Sequence, residues 1–464
     1  MRLVVKYDGS TILTPKKINI IAKQVYNESK NNQMVLVCSA IGDTTDHLLG
    51  ITNSIHKNDV KGAKALAASI IDSHKKMAQQ TITKATGRKK LVDSLTKDFE
   101  EFLELVNGIA ILNETTPRSL DYLISFGERF SAKILSYAIA DLGRKTQSMT
   151  GKEVGIVTDS NYGNCMPLMN TTRLRVFKNI ETLLSKKITP VIGGFSGGDQ
   201  HGHITTMGRG GSDYTASIIA SCVKADEIWL VGDTDGMMTA DPSVVDNAKI
   251  IREVSYSEAM EMSMFGAQQI HPKTFEPLFA KKIPMRIRSV SSKTLGTLVL
   301  SSPSADVKKS IKCVSAFKNN TIVDIRGTNM AGAPGTAVKI FDTLAAANVN
   351  IMMITQNPSE SSITITVKKT DTDKTVHIME KSLLGKIIKK IEVTPNMTIV
   401  ALIGAGMRGT VGAAARVFGA VAKKSVNVAM ITQGSSELNL AFVVRDSDSR
   451  KAVKAVHDEF KLGH

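Results

Sequence analysis

The stretch Met207-Gly208-Arg209-Gly210-Gly211-Ser212-Asp213-Tyr214-Thr215-Ala216 decides the fold of this chain. Its three glycines exclude a helix interior, because glycine loses the most backbone entropy there, and they allow the backbone to approach a ligand closely. Ser212 and Asp213 predict a helix start, since a serine side chain accepts from free N–H groups and a carboxylate suits the positive helix end. The arginine and the carboxylate favour a site for an anionic small molecule over a plain tight turn.

Strands are predicted on both sides of this loop, over residues 203–206 and 227–231, and the apolar spacing between them gives the helix one buried face. Apolar runs that end in polar loops predict further strands at residues 34–39, 155–159 and 188–195. Strands and helices alternate in this way from residue 1 to residue 300, which predicts one α/β domain with a mainly parallel sheet. Ligands bind such sheets at the carboxyl ends of the strands.

The composition is that of a globular protein, with 42% hydrophobic and 22% charged residues over 464 positions. This length allows about two to four domains. No apolar run approaches the length of a membrane span, and the N-terminus lacks a signal-peptide pattern. The cysteines have no metal-ligand spacing, so we predict no metal site among them and expect reduced core thiols in a cytoplasmic protein. They are Cys38, Cys165, Cys222 and Cys313.

The net charge of +16 has two interpretations. One is binding to nucleic acid. The other is a basic proteome or a high-salt habitat, combined with an anionic substrate. We favour the second, because Lys89-Lys90 and Lys389-Lys390 have no interleaved aromatic residues and aromatics make up only 5% of the chain. The sequence therefore predicts neither a nucleic-acid partner nor a membrane partner.

An internal repeat follows the linker at residues 301–304. Residues 349–356 (VNIMMITQ) return 77 positions later as residues 426–433 (VNVAMITQ). A glycine turn and a helix precede each copy and an alternating strand follows it, so each unit is predicted to be a βαββαβ ferredoxin-like sandwich. Grooves between two such units can hold a small effector, unless the polar and glycine positions only close turns and cap helices. The candidate contacts are Gly332, Gly335, Asn350, Gln356, Asn427 and Gln433.

Together these features resemble the aspartokinase family, in which an amino-acid-kinase domain precedes two ACT domains. The resemblance covers nearly the whole chain, and its ordered set of motifs is specific although no single motif is decisive. It is carried by residues 6–11, 39–45, 116–129 and 208–214, Asp235-Gly236 with Asp241-Pro242, Phe265-Gly266-Ala267 with His271-Pro272, and residues 403–407. It implies a three-layer αβα domain over residues 1–302 and ACT domains over residues 310–388 and 389–464.

The resemblance also implies an activity, the phosphorylation of the β-carboxylate of L-aspartate to 4-phospho-L-aspartate with ATP and Mg²⁺. This reaction is the first step of lysine, threonine and methionine biosynthesis. Two anions must approach each other, so the barrier is largely electrostatic. By resemblance, Lys6 neutralises the transferred phosphoryl group and Asp213 orders this lysine and the metal. The family further implies a homo-oligomer formed through the ACT domains, with lysine or threonine as a possible feedback effector.

The remaining site residues are assigned by the same resemblance. Arg209 holds the α-carboxylate of aspartate, since a guanidinium fork fits a carboxylate, and Glu128 takes the α-ammonium group. The rest of the amino-acid pocket consists of Ser39, Thr45, Gly210, Gly211 and Ser212. Gly9 and Ser10 lie under the phosphates of the nucleotide. The other predicted nucleotide contacts are Lys6, Asp233, Asp235, Gly236, Asp241 and Gln268.

The departures from the family pattern lie on the nucleotide side. Asp8 stands where the family has a second glycine, and Gln268 stands where it has a lysine that contacts the phosphates. A threonine, a tyrosine and an arginine of the family pattern are replaced by Gly232, Met238 and Ser243. Lys273 is a nearby cation that could fill the role of the missing lysine. A second hypothesis is therefore a catalytically weakened, amino-acid-binding regulatory paralogue, and a third is another amino-acid kinase.

Overall fold

The structure is a computed structural model that describes residues 1–266, 270–290, 294–304, 311–327, 335–356 and 362–463. The chain divides into two compact units. The first comprises Met1–Met237 and Gln269–Ser302, and the second comprises Met238–Gln268 and Pro303–His464. None of the described helices combines the length and the apolar character that a bilayer crossing requires.

A mainly parallel sheet forms the centre of the first unit. Strands β1 to β7 span Arg2–Tyr7, Gln33–Cys38, Thr146–Met149, Thr189–Gly193, Ser196–Gly198, Ile204–Thr206 and Glu227–Gly232. Strand β8 (Glu253–Ser255) belongs to the second unit, and β9 and β10 span Met285–Ser289 and Thr297–Leu300. The order within the first unit is β3-β4-β2-β1-β7-β9-β10, and only β10 pairs antiparallel in this series of described strands. Strands β5 and β6 form a separate antiparallel hairpin.

Helices cover both faces of this sheet. Helices α1 to α8 span Pro15–Glu28, Thr44–His56, Val60–Thr81, Ala85–Leu112, Pro117–Asp141, Gly151–Val154, Met169–Ser185 and Gly211–Val223. Helix α9 (Tyr256–Met264) belongs to the second unit and α10 spans Phe275–Phe279. Short 3-10 turns span Gly9–Ile12 and Pro272–Thr274. Leu3, Val5 and Tyr7 of β1 lie in the core that α1 to α5 form, whereas Lys6 points to the opposite face, where α8 lies. The predicted three-layer α/β class is confirmed.

The strand predicted at residues 155–159 is wrong. This segment makes only isolated bridges, Val157 with Gly198 and Thr158 with Pro167. Gly155 caps the C-terminus of α6 with a left-handed φ of 108°, so the backbone is not extended as a strand at that residue. The strand beside β4 is instead β3, whose polar sequence lacks the apolar run from which the other strands were predicted.

An antiparallel sheet organises the second unit. Strands β11 to β16 span Cys313–Arg326, Ile351–Gln356, Ser362–Lys368, Lys390–Ile403, Met430–Thr432 and Asn439–Arg445. Helices α11 to α14 span Thr336–Ala346, Thr372–Leu383, Ala413–Ala422 and Ser449–Glu459. Further 3-10 turns span Lys369–Asp371, Ala405–Met407 and Asp446–Asp448. The strand order is β12-β13-β11-β14-β16-β15, and each half of the sheet has its own apolar core.

The two long strands β11 and β14 are shared between the repeats. Cys313–Phe317 pairs with the half of β14 that borders β16, and Ile322–Arg326 pairs with Lys390–Thr394 while also bordering β13. Each repeat therefore takes its fourth strand from the long strand of the other. A boundary at residue 389 assigns Cys313–Phe317 to the first repeat, although this segment completes the sheet of the second. It likewise assigns Lys390–Thr394 to the second repeat, although this segment completes the sheet of the first, so the predicted limits do not follow the strand pairing.

The bends in the long strands repeat the sequence symmetry. Asn319 and Asn396, which are 77 positions apart, both have a left-handed backbone, with φ of 61° and 59°. Asparagine tolerates this conformation better than most residues. Gly335 and Gly412 precede the first helix of each repeat with φ of 89° and 85°. The duplication predicted from eight aligned residues therefore extends through the backbone of both repeats.

Candidate active site

The candidate site lies at the carboxyl edge of the parallel sheet. Backbone hydrogen bonds tie the loops after neighbouring strands together: Asp8 N donates to Val231 O at 3.0 Å, Gly42 N to Gly9 O at 3.3 Å, and Gly194 N to Cys38 O at 3.0 Å. Gly9 is required here, because a Cβ at this position would lie 2.2 Å from Ala40 O. The loops after β1, β2, β4 and β7 therefore form one continuous edge.

Lys6 is the buried cation of this edge. Its Nζ lies 2.6 Å from Asp213 Oδ1 and also contacts the carboxylate of Asp8. Burial alone lowers the pKa of Lys6, but the charges of Asp213 and Asp8 outweigh burial and raise the pKa above its ordinary value. Lys6 is therefore charged at neutral pH, and two carboxylates already share that charge.

The glycine loop brings the start of α8 against the end of β4. Gly208 and Gly210 have φ of 73° and 75°, and a Cβ on Gly194 would lie 2.8 Å from Ser212 Cβ. The loop therefore needs glycine both for its backbone conformation and for close packing. The predicted capping role of Ser212 is wrong, because Gly210 occupies the N-cap position and no side chain among the described residues caps α8. The free backbone N–H groups at this helix start favour an anion.

Glu128 is a buried carboxylate on the opposite wall. It projects from α5, where Oε1 accepts from Ala40 N at 3.2 Å and Oε2 has no hydrogen-bond partner in the described part of the chain. Burial raises the pKa of Glu128 to about 8, against the opposing effects of the backbone hydrogen bonds and of Lys6. An unpaired buried carboxylate is costly unless a cation binds beside it.

The other predicted amino-acid contacts differ in how far they are buried. Ser39 is half-buried and its N donates to Tyr7 O at 3.1 Å, and Thr45 is half-buried in the first turn of α2. Gly211 is buried, and a Cβ there would lie 2.9 Å from Phe195 Cδ2. Arg209 is exposed, and its guanidinium has no ion pair with any described residue. The predicted amino-acid contacts therefore range from the buried Gly211 to the exposed Arg209.

The predicted nucleotide contacts in the first unit are more exposed. Asp233 Oδ1 lies 3.7 Å from Lys17 Nζ, and Ser10 O accepts from the same ammonium at 2.8 Å. Asp235 Oδ1 accepts from Ser289 Oγ at 2.5 Å, and the buried Gly236 has a φ of 146°. These residues all follow the ends of β1 and β7.

Several predicted residues belong to the second unit or lie outside the described residues. Asp241 belongs to the second unit, where its Oδ1 accepts from Ser243 N at 2.8 Å. Gln268 and Gly332 lie outside the described residues. Gly335 precedes α11 as its N-cap, and the remaining effector candidates, all exposed, are Asn350, Gln356, Asn427 and Gln433.

Sequence reasoning missed two structural contacts of the site. Asp121, on α5, accepts from Gly163 N at 2.9 Å, Thr206 N at 2.8 Å and Thr206 Oγ1 at 2.7 Å, which fixes the strand before the glycine loop. Burial raises its pKa. The signal was an aspartate among the apolar positions of a helix. The second missed residue is Lys17. The sequence feature that could have revealed it is a lysine in the first turn of a helix, where cations are disfavoured.

Lys273 reaches the glycine loop from another direction. Its Nζ donates to Asn164 Oδ1 at 3.0 Å, and a Cβ on Gly208 would lie 3.8 Å from the same oxygen. A Cβ on Gly210 would lie 2.5 Å from the Cβ of His271. The cation named as an alternative to position 268 therefore lies beside the amino-acid loop.

Two sequence families match the chain. The model of the amino acid kinase family matches residues 1–289, and that of the ACT domain matches residues 323–383 and 400–460. The aspartokinase of Corynebacterium glutamicum is 30% identical over 100% of this chain and 97% of its own length. A bifunctional aspartokinase/homoserine dehydrogenase of Zea mays is 31% identical over 98% of this chain. The chain spans about half the length of the bifunctional plant relatives, 50% in this case.

Solved structures show the same similarity. E. coli aspartokinase III in complex with aspartate and ADP superposes with a TM-score of 0.85, 25% identity and 99% coverage of both chains. The same enzyme in complex with lysine and aspartate has a TM-score of 0.78, 25% identity and 98% coverage of both chains. Clostridium acetobutylicum aspartate kinase has a TM-score of 0.75, 25% identity and 99% coverage of both chains.

The parallel-sheet edge with its glycine loop, followed by paired ferredoxin-like repeats, defines an amino acid kinase with ACT domains. Within that class, the chain belongs to the aspartokinase family. The resemblance stated from the sequence is confirmed. The comparisons do not favour the alternative of a regulatory paralogue with weakened catalysis.

Proposed function

We propose that this chain is a kinase that transfers the γ-phosphoryl group of ATP to the β-carboxylate of L-aspartate. The observation that carries the proposal is the grouping of buried Lys6 and buried Glu128 at one sheet edge, beside the free N–H groups of α8. Similarity over nearly the full length of an aspartokinase supports it, as does the likeness to a structure with aspartate and ADP.

The proposed roles follow from charge and burial. Glu128 binds the α-ammonium group of aspartate, which removes the cost of its unpaired oxygen, and Arg209 binds the α-carboxylate from the rim. Lys6 offsets the charge of the transferred phosphoryl group, and Asp213 holds Lys6 in place. The pocket is completed by Ser39, Thr45, Gly210, Gly211 and Ser212.

The nucleotide is proposed to lie over the loops after β1 and β7. Its contacts there are Gly9, Ser10, Asp233, Asp235 and Gly236, and Asp241 and Gln268 are proposed as further contacts. The described residues contain no group of three His, Cys, Asp or Glu side chains that could hold a metal. Nucleotide-bound Mg²⁺ needs only one or two protein carboxylates, which Asp8 and Asp213 fit, and it supplies charge neutralisation of the phosphate oxygens.

The activity is tested by measuring ADP formation with ATP and Mg²⁺ in the presence of aspartate, glutamate or acetylglutamate. We expect turnover with aspartate and little with the others. Hydroxylamine trapping should detect the acyl phosphate only in the aspartate reaction. Turnover with glutamate or acetylglutamate alone would assign another amino-acid kinase, and no turnover with any acceptor would contradict the proposal.

The repeats are proposed to form two ACT domains, near residues 310–388 and 389–464 apart from the shared strands, after a kinase domain of residues 1–302. A lysine or threonine effector site and a homo-oligomer paired through these domains are proposed as well, and the lysine complex of the E. coli relative supports lysine as the effector. The four unpaired cysteines support a reducing compartment such as the cytoplasm. Calorimetry with lysine, threonine and methionine tests the effector, and light scattering with and without the effector tests the oligomer.

A further inference from the structure

The carboxyl edge of the sheet gathers more carboxylates than cations near β1 and β7. Asp8 and Asp213 both contact Lys6, and the exposed Asp233 and Asp235 follow β7. Lys6 therefore shares its charge with two carboxylates before any ligand arrives. A triphosphate carries several negative charges, of which a bound Mg²⁺ neutralises two, so a cation at this edge that is not committed to a carboxylate strengthens its binding.

Lys17 is such a cation. Its Nζ is held over the loop after β1 by a 2.8 Å hydrogen bond to Ser10 O, which is a neutral partner. Its contact with Asp233 is loose, at 3.7 Å, and the two side chains are 44% and 61% exposed. An ion pair of this length and exposure contributes little and exchanges readily for a better anion.

The position of Lys17 is otherwise unfavourable. It lies in the first turn of α1, three residues after the N-cap Thr14, where the positive end of the helix repels a cation and an acidic residue is preferred. Residues that break a local rule without a gain in stability are expected at functional positions. Lys16 shares this unfavourable turn but is exposed and has no hydrogen bond or ion pair with a described residue.

We propose that Lys17 binds the β- or γ-phosphate of the nucleotide, exchanging its contact with Asp233 for a phosphate oxygen. This inference rests on the proposed kinase function and adds a phosphate-binding residue to it. The Ser10 carbonyl keeps the ammonium directed over the loop, so that little reorganisation is needed when the phosphate arrives.

Calorimetric titration of the full chain with ATP, ADP and AMP tests the assignment without requiring turnover. We expect Lys17→Ala to weaken ATP binding by about 10- to 100-fold, the range for the loss of a charged hydrogen bond, and to leave AMP and aspartate binding unchanged. ADP binding should weaken to the same extent if Lys17 contacts the β-phosphate and stay unchanged if it contacts only the γ-phosphate. Lys17→Arg should retain most of the affinity. The matched control, Lys16→Ala, should bind all ligands as the wild type does.

The outcomes separate this inference from the kinase proposal. Equal ATP affinity in Lys17→Ala and wild type overturns the inference, as does an equal loss in Lys16→Ala or a loss that extends to AMP. A wild type that binds ATP but phosphorylates no acceptor overturns the kinase proposal alone. Unchanged aspartate binding and an unchanged thermal unfolding midpoint show that Lys17→Ala is folded.

Discussion

The two sides of Lys6 differ in how firmly the structure fixes them. On the amino-acid side, Glu128 and Ser212 are buried and are held by close backbone contacts that only glycine at positions 193 and 194 permits. On the nucleotide side, Asp233 and Asp235 are exposed on a loop. A buried charge on the amino-acid side costs free energy unless a matching ligand group pairs with it, so residues there are tightly constrained. Exposed residues on the nucleotide side can be substituted with little effect on stability. The departures from the family pattern fall on this second side.

The largest expected effect comes from removing the cation between the two sides. Lys6→Met should lower kcat by about 10³-fold or more, because a cation that stabilises the charge of a transferred phosphoryl group contributes about 10³- to 10⁵-fold to kcat. It should also destabilise the fold by about 3–5 kcal/mol, since Asp213 is left buried without its partner. Steady-state kinetics and denaturant unfolding measure the two effects.

The double variant Lys6→Met with Asp213→Asn separates these effects. It should recover much of the unfolding free energy, because no buried carboxylate remains unpaired at this point, while turnover stays low. A variant that regains both stability and turnover would contradict the proposed role of Lys6.

Arg209→Ala should affect the amino-acid side alone. Loss of a charged hydrogen bond costs about 1.5–3 kcal/mol, so the KM for aspartate should rise by about 10- to 100-fold with ATP binding nearly unchanged. Arg209→Lys should recover only part of the loss, because an ammonium cannot grip a carboxylate in bidentate fashion. An equal loss of ATP affinity would show that the assignment of Arg209 to aspartate is wrong.

On the nucleotide side, Asp8 and Gly232 should behave as a matched pair. A Cβ on Gly232 would lie 2.7 Å from Asp8 Oδ2, so the two departures from the family pattern are in direct contact. Gly232→Thr alone should destabilise the protein by about 1–3 kcal/mol through overpacking. Adding Asp8→Gly should restore most of that stability, which denaturant unfolding can measure as a double-mutant cycle. Additive losses would show that the pair is independent.

This pair also shows where prediction from sequence ends. Asp8 and Gly232 are each visible as departures from a motif, but their contact joins the ends of β1 and β7, which only the sheet brings together. The strand exchange between β11 and β14 is of the same kind, because the 77-residue repeat reveals the duplication and not which half of each long strand pairs with which. Long-range pairing is not encoded in local periodicity.

Local patterns were more informative. The glycine loop, the helix after it and the strands on both sides appear where the apolar spacing predicted them. The capping role of Ser212 failed because the left-handed Gly210 takes the N-cap position, a backbone detail that residue preference does not specify. The family resemblance assigned Glu128 to the α-ammonium group, but its free Oε2 and its pKa could be read only from the structure.

The smallest expected effect is a pH dependence on the amino-acid side. Since burial raises the pKa of Glu128 to about 8, most of the ligand-free protein is protonated there at pH 7. Binding of an ammonium group requires the ionised form, so aspartate affinity should increase by about tenfold between pH 7 and pH 9, the equivalent of about 1.4 kcal/mol. Below the folded pKa, binding should release close to one proton, which calorimetry in buffers of different ionisation enthalpy detects.

The matching control is Glu128→Gln, which should bind aspartate weakly at every pH and release no proton. The sign of the stability effect is opposite to that of binding. The folded pKa lies above the ordinary value of 4.5, so the unfolding free energy of the ligand-free protein should fall, relative to Glu128→Gln, as the pH rises from about 4.5 to about 8, and should level off above that. A wild type whose aspartate affinity is flat between pH 7 and pH 9 would mean that Glu128 is ionised before the ligand arrives. In that case burial would not make the amino-acid side more selective for the charge of its ligand than the nucleotide side is.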